Sequence, residues 1–146
     1  MSLNYILRKA TESDFQFLFD LLKQTMFNHV VATWGEWDED FQVEYFRKKF
    51  DPEKNWVIVI DGKDAGGYMV TEDAGTVKLD RMFLLPEYQG KGIGSHIVQN
   101  ILEEVAAKGK KLTLTVIKHN ARVLPFYERL GLRVVGENEE RFVLSS

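Results

Sequence analysis

The sequence predicts a single α/β domain in which a mixed sheet carries helices on both faces. Three observations support this fold class. Apolar residues recur at helical spacing in some segments and alternate as in strands in others, and the two kinds of segment follow one another along the chain. A length of 146 residues is enough to enclose one sizeable core. A hydrophobic content of 45% and a charged content of 28% are ordinary for a globular protein. We therefore expect residues 1–146 to form one domain.

The first part of the chain predicts a strand and then a helix. Asn4 to Lys9 alternates as a strand does, and Thr11 to Asp14 has the composition of a capping box. The next apolar residues are three or four positions apart, as on one face of a helix: Phe15, Leu18, Phe19, Leu22 and Met26. We expect a loop over Asn28 to Glu36, which has an unusual content of histidine, tryptophan and glycine.

A second helix and a meander of three strands follow. Asp38 can cap the helix, and Asp51-Pro52 closes it. Its apolar side is expected to carry four aromatic residues, Phe41, Tyr45, Phe46 and Phe50. The hairpin signal Asp61-Gly62 and a second turn at Glu72 to Gly75 separate the strands of the meander. These strands are expected over Trp56 to Ile60, Gly66 to Thr71 and Val77 to Leu85. The N-terminal part of the sheet is therefore expected to be predominantly antiparallel.

The last part of the chain predicts a central parallel βαβ unit, a short helix and two closing strands. A helix over Ser95 to Val105 leads from the meander to a β-branched strand over Leu112 to Ile117, so these two strands are expected to be parallel. Ala121 to Leu130 is helical in composition but contains Pro125, so the regular helix is expected to begin near that proline. The closing strands are expected at Leu132 to Val135 and at Arg141 to Leu144.

The most informative segment is the hexapeptide Gln89-Gly90-Lys91-Gly92-Ile93-Gly94, which lies between a predicted strand and a predicted helix. A helix N-terminus carries unpaired N–H groups and the positive end of the helix dipole, and glycine allows close backbone approach, so this place suits a phosphate. The dinucleotide fingerprint does not fit, because Ser95 fills its last glycine position and no acidic residue follows at the ribose position. No stretch fits the Walker A pattern. An ordinary glycine-rich turn is the alternative.

Two motifs together carry a family resemblance. The hexapeptide has the form Q-x-x-G-x-G, and Asn120 to Leu132 holds an asparagine followed by F-Y-x-x-x-G-L. In this order and spacing they resemble the acetyl-coenzyme A signature and the segment after the fifth strand of the GNAT N-acetyltransferase superfamily, whose element order fits the whole chain. The resemblance implies a GNAT-type fold. It also implies transfer of an acetyl group from acetyl-CoA, the acyl-donor substrate, to a primary amine of a small molecule, protein or peptide by direct attack.

The resemblance also assigns residues to the donor site. Backbone N–H groups of Gln89 to Gly94 would hold the pyrophosphate, and Asn120 would hold the cofactor arm through its amide. The backbone of three residues, Met82, Phe83 and Leu84, would pair with the pantetheine arm. Tyr127 would stand near the thioester sulfur. Independently, a phenol with a pKa of about 10 is close to matched to a thiol with a pKa of about 8.5, which suits general acid catalysis. The alternative is that Tyr127 is a core aromatic residue that packs beside Phe126.

The sequence is less decisive about the general base. Side chains alternate along a strand, so four residues are expected on one face: Lys78, Asp80, Met82 and Leu84. If that face meets the substrate, Asp80 is the candidate base. The fifth-strand segment Leu114-Thr115-Val116 lacks the carboxylate that some family members carry. Glu72 and the segment from Trp34 to Asp38 hold other candidates, and for each acid solvated surface charge is the alternative.

The acceptor site is expected near the first two helices and the loop between them, because in the family these elements form much of it. Here that loop contributes two tryptophans and two carboxylates, Trp34, Glu36, Trp37 and Asp38. Aromatic faces and carboxylates together suit a cationic amine. The alternative is that the tryptophans pack under the helices while the acids cap a helix or face solvent.

Charge and composition exclude several classes of partner and site. A net charge of −3 offers no basic footprint for nucleic acid. There is no cysteine, and the three histidines, His29, His96 and His119, are too scattered for a metal site, so none is predicted. No apolar run reaches the roughly 18 residues of a membrane span and no signal-peptide core is visible, so a cytoplasmic location without membrane contact is expected. The sequence leaves open whether the protein forms a homodimer. The alternative function is a non-catalytic acyl-CoA-binding module that has lost its base.

Overall fold

The computed structural model describes residues 4–146, and within them the chain forms four α-helices and seven strands. In chain order these are β1 (Ile6–Lys9), α1 (Phe15–Trp34), α2 (Glu39–Lys49), β2 (Asn55–Ile60), β3 (Lys63–Glu72), β4 (Thr76–Leu84), α3 (Ile93–Ala107), β5 (Lys111–Ile117), α4 (Leu124–Arg129), β6 (Arg133–Glu137) and β7 (Arg141–Ser145). The strands belong to one mixed sheet in the order β1-β2-β3-β4-β5-β7-β6. The predicted fold class is confirmed.

The chain divides into two compact units. The first unit comprises the described residues up to Met69 together with Arg81–Gln89, and the second comprises Val70–Asp80 and Gly90–Ser146. The organisation of residues 1–146 as a single domain stays a prediction.

In the first unit, β1, β2 and β3 form an antiparallel ladder. The hairpin between β2 and β3 turns at Asp61 and Gly62, which both have positive φ, 51° and 75°, as a type I′ turn requires. A Cβ on Gly66 would lie 2.3 Å from the carbonyl oxygen of Phe83. Only glycine lets β3 approach the end of β4 this closely, because a backbone carbonyl cannot move aside.

The core of the first unit is an aromatic cluster between α1 and α2. The Phe46 ring, 3% exposed, meets Phe15 and Phe19 edge to face at centroid distances of 5.2 and 5.7 Å. Phe50 and Trp37 pack against the same cluster as partly buried neighbours. Edge-to-face pairs of this kind add about 0.5–1.5 kcal/mol each beyond the burial of area.

Two expectations about these helices were wrong. No loop begins at Asn28, because α1 continues to Trp34 and ends at Gly35, which has a φ of 93° and donates its N–H to the carbonyl of Val31 at 2.8 Å. The apolar side of α2 is also narrower than predicted. Phe41 and Tyr45 are 56% and 43% exposed, because at 100° per residue they point more than a quarter-turn away from buried Phe46.

The second unit contains the predicted parallel βαβ unit. Thr76–Lys78 of β4 pairs in parallel with Lys111–Thr113 of β5, and α3 connects the two strands. One face of α3 is buried, at Ile93, Ile97, Val98, Ile101 and Val105. Antiparallel β7 and β6 extend this part of the sheet beyond β5. As predicted, α4 begins beside Pro125, after a 3-10 helix over Lys118–Val123.

Candidate functional site

The glycine turn before α3 has the geometry that an anion requires. Gly90 and Gly92 have φ values of 75° and 82°, and Gly92 is the N-cap of α3. No side chain caps this N-terminus, so the N–H groups of the first turn are left to face outward. A Cβ on either glycine would meet no atom within 4 Å, so the space in front of the turn is open. Helix dipole and N–H groups therefore favour a bound negative charge there.

Asn120 carries the second feature of this unit. It interrupts the 3-10 helix after β5 with non-helical torsions, φ −104° and ψ 32°. Its side-chain oxygen Oδ1 is buried, and among residues 4–146 it has no hydrogen-bond partner. An unsatisfied buried acceptor costs about 1–3 kcal/mol, so it calls for a hydrogen-bond donor from outside the chain. A ligand that contains amide groups would supply one.

Tyr127 lies on α4, seven residues after Asn120. Its ring meets Phe126 edge to face at 5.0 Å, and its main-chain carbonyl accepts the N–H groups of Leu130 and Leu132 at 3.0 and 3.2 Å. The backbone under the ring is therefore fixed. Burial raises the pKa of the Tyr127 phenol, because the phenolate is poorly solvated there. The side chain is consequently a proton donor at neutral pH.

Asp80 lies where β4 stops pairing with β5. The last recorded pair of the parallel ladder is Lys78 with Thr113, although both strands run on. Lys78 Nζ lies 3.7 Å from Asp80 Oδ1, and the Asp80 side chain is 22% exposed. The carboxylate is thus near a cation and still reachable. Its role as a base stays a prediction.

The predicted common face of β4 spans a residue with unusual backbone torsions. Arg81 has a φ of 52°, a left-handed conformation in the middle of the strand. A residue of this kind can break the two-residue alternation. Lys78 and Asp80 precede this residue, whereas Met82 and Leu84 follow it. That all four side chains share one face stays a prediction.

Glu72, another candidate base, is held in ion pairs. Lys110 and Lys108 contact its carboxylate at 2.6 and 3.2 Å and lower its pKa. A carboxylate with a lowered pKa accepts protons less readily. The two lysines therefore make Glu72 a weak candidate for the base.

The end of β4 and the glutamine of the motif belong to the first unit. Gln89 Nε2 donates to the carbonyl of Leu84 at 2.8 Å, and the N–H of Leu85 donates to the carbonyl of Ala65 at 2.8 Å. Gln89 thus ties the start of the glycine turn to the end of the strand that holds Met82, Phe83 and Leu84. Sequence reasoning gave Gln89 only a backbone role, and no local signal shows that its side chain folds back on this carbonyl.

The expected acceptor residues divide into two groups. Trp37 packs against Phe27 at 5.6 Å and donates its Nε1–H to Glu39 at 2.8 Å, while Asp38 caps α2 by accepting the N–H of Phe41 at 3.0 Å. These two residues therefore have structural roles, as the alternative interpretation stated. Trp34, 46% exposed, and exposed Glu36 lie at the end of α1 and just after it. Binding of an acceptor by any of the four stays a prediction.

The described part of the chain shows neither a metal-binding cluster nor a membrane span. No group of three or more histidine, aspartate or glutamate side chains there is arranged to hold a metal ion. No helix in residues 4–146 is both long enough and apolar enough to cross a bilayer.

Comparison with known proteins gives consistent matches. The family model described as "Acetyltransferase (GNAT) family" matches residues 15–132. Peptidyl-lysine N-acetyltransferase YjaB of Salmonella typhimurium (strain LT2) is 32% identical over 84 residues, which are 58% of this chain and 53% of that protein. Spermine/spermidine N(1)-acetyltransferase of Bacillus subtilis (strain 168) is 34% identical over 65 residues, 43% of either chain. The matched segments thus span about half the length of these curated relatives.

Solved structures share the fold over nearly all of the chain. The PaiA N-acetyltransferase of Thermoplasma acidophilum, in complex with coenzyme A, has a TM-score of 0.75 over 99% of both chains at 21% identity. An N-acetyltransferase of Staphylococcus aureus Mu50 has a TM-score of 0.76 over 97% of this chain and 100% of that chain at 14% identity. At these identities the likeness shows the fold alone.

Proposed function

Because the chain belongs to the GNAT acetyltransferase family, we propose that it transfers an acetyl group from acetyl-CoA to a primary amine. The observation that carries the proposal is the buried Asn120 Oδ1, which has no hydrogen-bond partner among the described residues. The pantetheine arm of coenzyme A contains amide N–H groups that match this acceptor. Pyrophosphate likewise matches the open glycine turn at α3. One ligand therefore accounts for both features.

The donor would be held mainly by backbone groups. In this proposal the N–H groups from Gly90 to Gly94 bind the pyrophosphate, and Gln89 fixes the start of the turn through Leu84. The backbone of Met82 to Leu84 binds the pantetheine arm as an added strand would. Backbone donors are well suited to this role, because they are oriented in advance by the fold and lose no side-chain entropy on binding.

Tyr127 is the proposed general acid. The amine nitrogen attacks the thioester carbonyl carbon, the new C–N bond forms, the C–S bond breaks, and Tyr127 gives its proton to the departing sulfur. The proton that the nitrogen loses as the amide forms would return to the Tyr127 phenolate through water. A free phenol is a weaker acid than a free thiol by about 1.5 pKa units, or about 2 kcal/mol. Burial raises the pKa of Tyr127, and it would raise that of a thiol held beside the ring for the same reason. The pKa values of the phenol and the thiol therefore stay close to each other.

Asp80 is the proposed base. An alkylammonium ion has a pKa of about 10.4, so it must lose a proton before it can attack. Asp80, which is partly exposed and lies 3.7 Å from Lys78 Nζ, would take this proton directly or through water. If Asp80 plays no such part, the alternative function, a non-catalytic acyl-CoA-binding module, gains weight.

The proposed acceptor class is a flexible cationic alkylamine. The names of two relatives specify peptidyl-lysine and spermine as the acetylated groups, and both present a primary amine on an alkyl chain. Trp34 and Glu36 offer an exposed aromatic face and an exposed carboxylate, which suit such a cation. A cytoplasmic location and a homodimer stay predictions.

A turnover panel tests this proposal. Purified protein is incubated with acetyl-CoA and with polyamines, lysine peptides, amino acids or amino sugars. Free thiol is measured, and the mass of the amine product is determined by mass spectrometry. We expect amine-dependent thiol release and one added acetyl group on a polyamine or a lysine peptide. Tight coenzyme A binding without product from any amine would favour the binding module instead.

A further inference from the structure

Arg81 adopts a backbone conformation that arginine rarely has. Its φ is 52°, and the other described non-glycine residue with positive φ is Asp61, in the hairpin turn beside Gly62. Aspartate tolerates this region, and such turns require it. Arg81 instead lies inside β4, where the local chain gives no reason for it. A strained conformation of this kind persists only when the surroundings hold it in place.

The surroundings that hold Arg81 are visible in the first unit. Its guanidinium carbon lies 5.1 Å from the centroid of the Phe46 ring, and its Nη1 donates to Met69 Sδ at 3.9 Å. Phe46 is buried and locked edge to face against Phe15 and Phe19. The arginine is therefore attached to a rigid part of the core by a cation–π contact.

The far end of the same segment is also fixed. Leu84 accepts the side chain of Gln89, Leu85 donates to Ala65, and β3 approaches Phe83 closely at Gly66. The short stretch from Met82 to Leu84 therefore begins beside Arg81 and ends at these contacts. Contacts at both ends hold its peptide groups in one direction.

We propose that Arg81 is a positioning residue: its contact with Phe46 holds the left-handed turn of β4 and so fixes the peptide groups of Met82 to Leu84 in the direction that the acyl donor needs. This inference rests on the proposed function for its ligand. The anchor itself is a property of the free protein and can be measured without one.

The test compares Arg81→Ala and Arg81→Lys with a matched control, Arg47→Ala. Arg47 also stacks on the aromatic cluster, 3.6 Å from the Phe15 centroid, and pairs with Glu12, but it lies on α2. Arg81→Ala keeps the strained left-handed conformation but removes the side-chain contact with Phe46. Arg81→Lys can still place a cation over the Phe46 ring, as Lys9 does over Trp56 at 4.6 Å. Alanine at position 47 removes an equivalent contact without touching β4.

Two readouts are taken, amide hydrogen exchange at Met82 to Leu84 in the free protein and the Kd for coenzyme A by calorimetry. For Arg81→Ala we expect exchange at these amides to accelerate and the Kd to rise about tenfold, with Arg81→Lys close to wild type. For Arg47→Ala both readouts should stay at the wild-type value even if Tm falls.

Wild-type exchange and affinity in Arg81→Ala would overturn the inference. Equal changes in Arg81→Ala and Arg47→Ala would overturn it too, because they would show general loosening of the core. If the wild-type protein binds no coenzyme A, the proposed function fails. The exchange comparison then still decides whether Arg81 holds this backbone.

Discussion

Replacement of Gly92 by alanine tests the anion-binding turn, and α3 supplies its own control. Gly92 precedes the helix with a φ of 82°, and Gly109 follows it with a φ of 70°. A Cβ at either position meets no protein atom within 4 Å. Each substitution therefore carries the same penalty, about 1–2 kcal/mol for an L-residue in the left-handed region, and neither causes a clash.

The two variants should therefore lose similar stability and differ in ligand affinity. A loss of this size lowers Tm by several degrees, at about 2–4 °C per kcal/mol for a chain of this length. At Gly92 the new methyl group also enters the open space where the phosphate would lie, so we expect the Kd for coenzyme A to rise at least about tenfold, or about 1.4 kcal/mol. Gly109→Ala should bind coenzyme A like the wild type.

Calorimetric titration with coenzyme A and a thermal melt of each variant provide the measurements. A larger substituent, in Gly92→Val, should weaken binding further. If Gly92→Ala binds coenzyme A as tightly as Gly109→Ala, the turn does not hold the phosphates and the reasoning fails.

Three further substitutions test other parts of the account. Tyr127→Phe should lower kcat by about 10²-fold and leave the Kd for coenzyme A unchanged; an unchanged kcat in this variant would remove Tyr127 as the acid. In the wild type, burial raises the Tyr127 pKa. Loss of this proton should therefore not lower kcat until the pH exceeds the ordinary phenol pKa. Asn120→Ala should weaken coenzyme A binding about tenfold. Its Tm should stay equal or rise, since the substitution removes a buried acceptor that has no hydrogen-bond partner within residues 4–146. Tight binding in this variant would contradict the assignment. Asp14→Asn should cost about 1–3 kcal/mol at neutral pH, because Asp14 accepts two hydrogen bonds from Arg8 that lower its pKa. That stabilisation is present above the ordinary carboxyl pKa and is lost as the pH falls through the lowered pKa of Asp14. The free energies of unfolding of the wild type and the variant, measured by urea titration, should therefore become equal in acid. A difference that persists in acid would contradict this linkage.

Local chemistry explains what the sequence predicts well. Pro125 fixes its own φ and lacks an N–H, so the start of α4 depends on one residue and its neighbours. The turn at Asp61 and Gly62 is equally local. The parallel pairing of β4 with β5 follows from the helix between them, since a crossover connection allows little else.

Contacts between distant residues explain the misses. Phe41 and Phe46 are both aromatic, and only the packing of α2 on Phe15 and Phe19 decides which of them is buried. The length of α1 is the exception, because it depends on a local feature: Gly35 adopts the left-handed conformation that ends the helix. The left-handed turn at Arg81 has no sequence signal at all. It depends on Phe46, which is 35 positions away.

The central claim is that the turn before α3 and Asn120 hold one acyl donor, and a coenzyme A titration followed by amide NMR tests it most directly. The account predicts saturable shifts at the backbone N–H groups of Gly92, Ile93 and Gly94 and at the side-chain amide of Asn120, all with one Kd. Saturable binding that leaves these four signals unmoved, or that moves the turn and Asn120 with different Kd values, would contradict it.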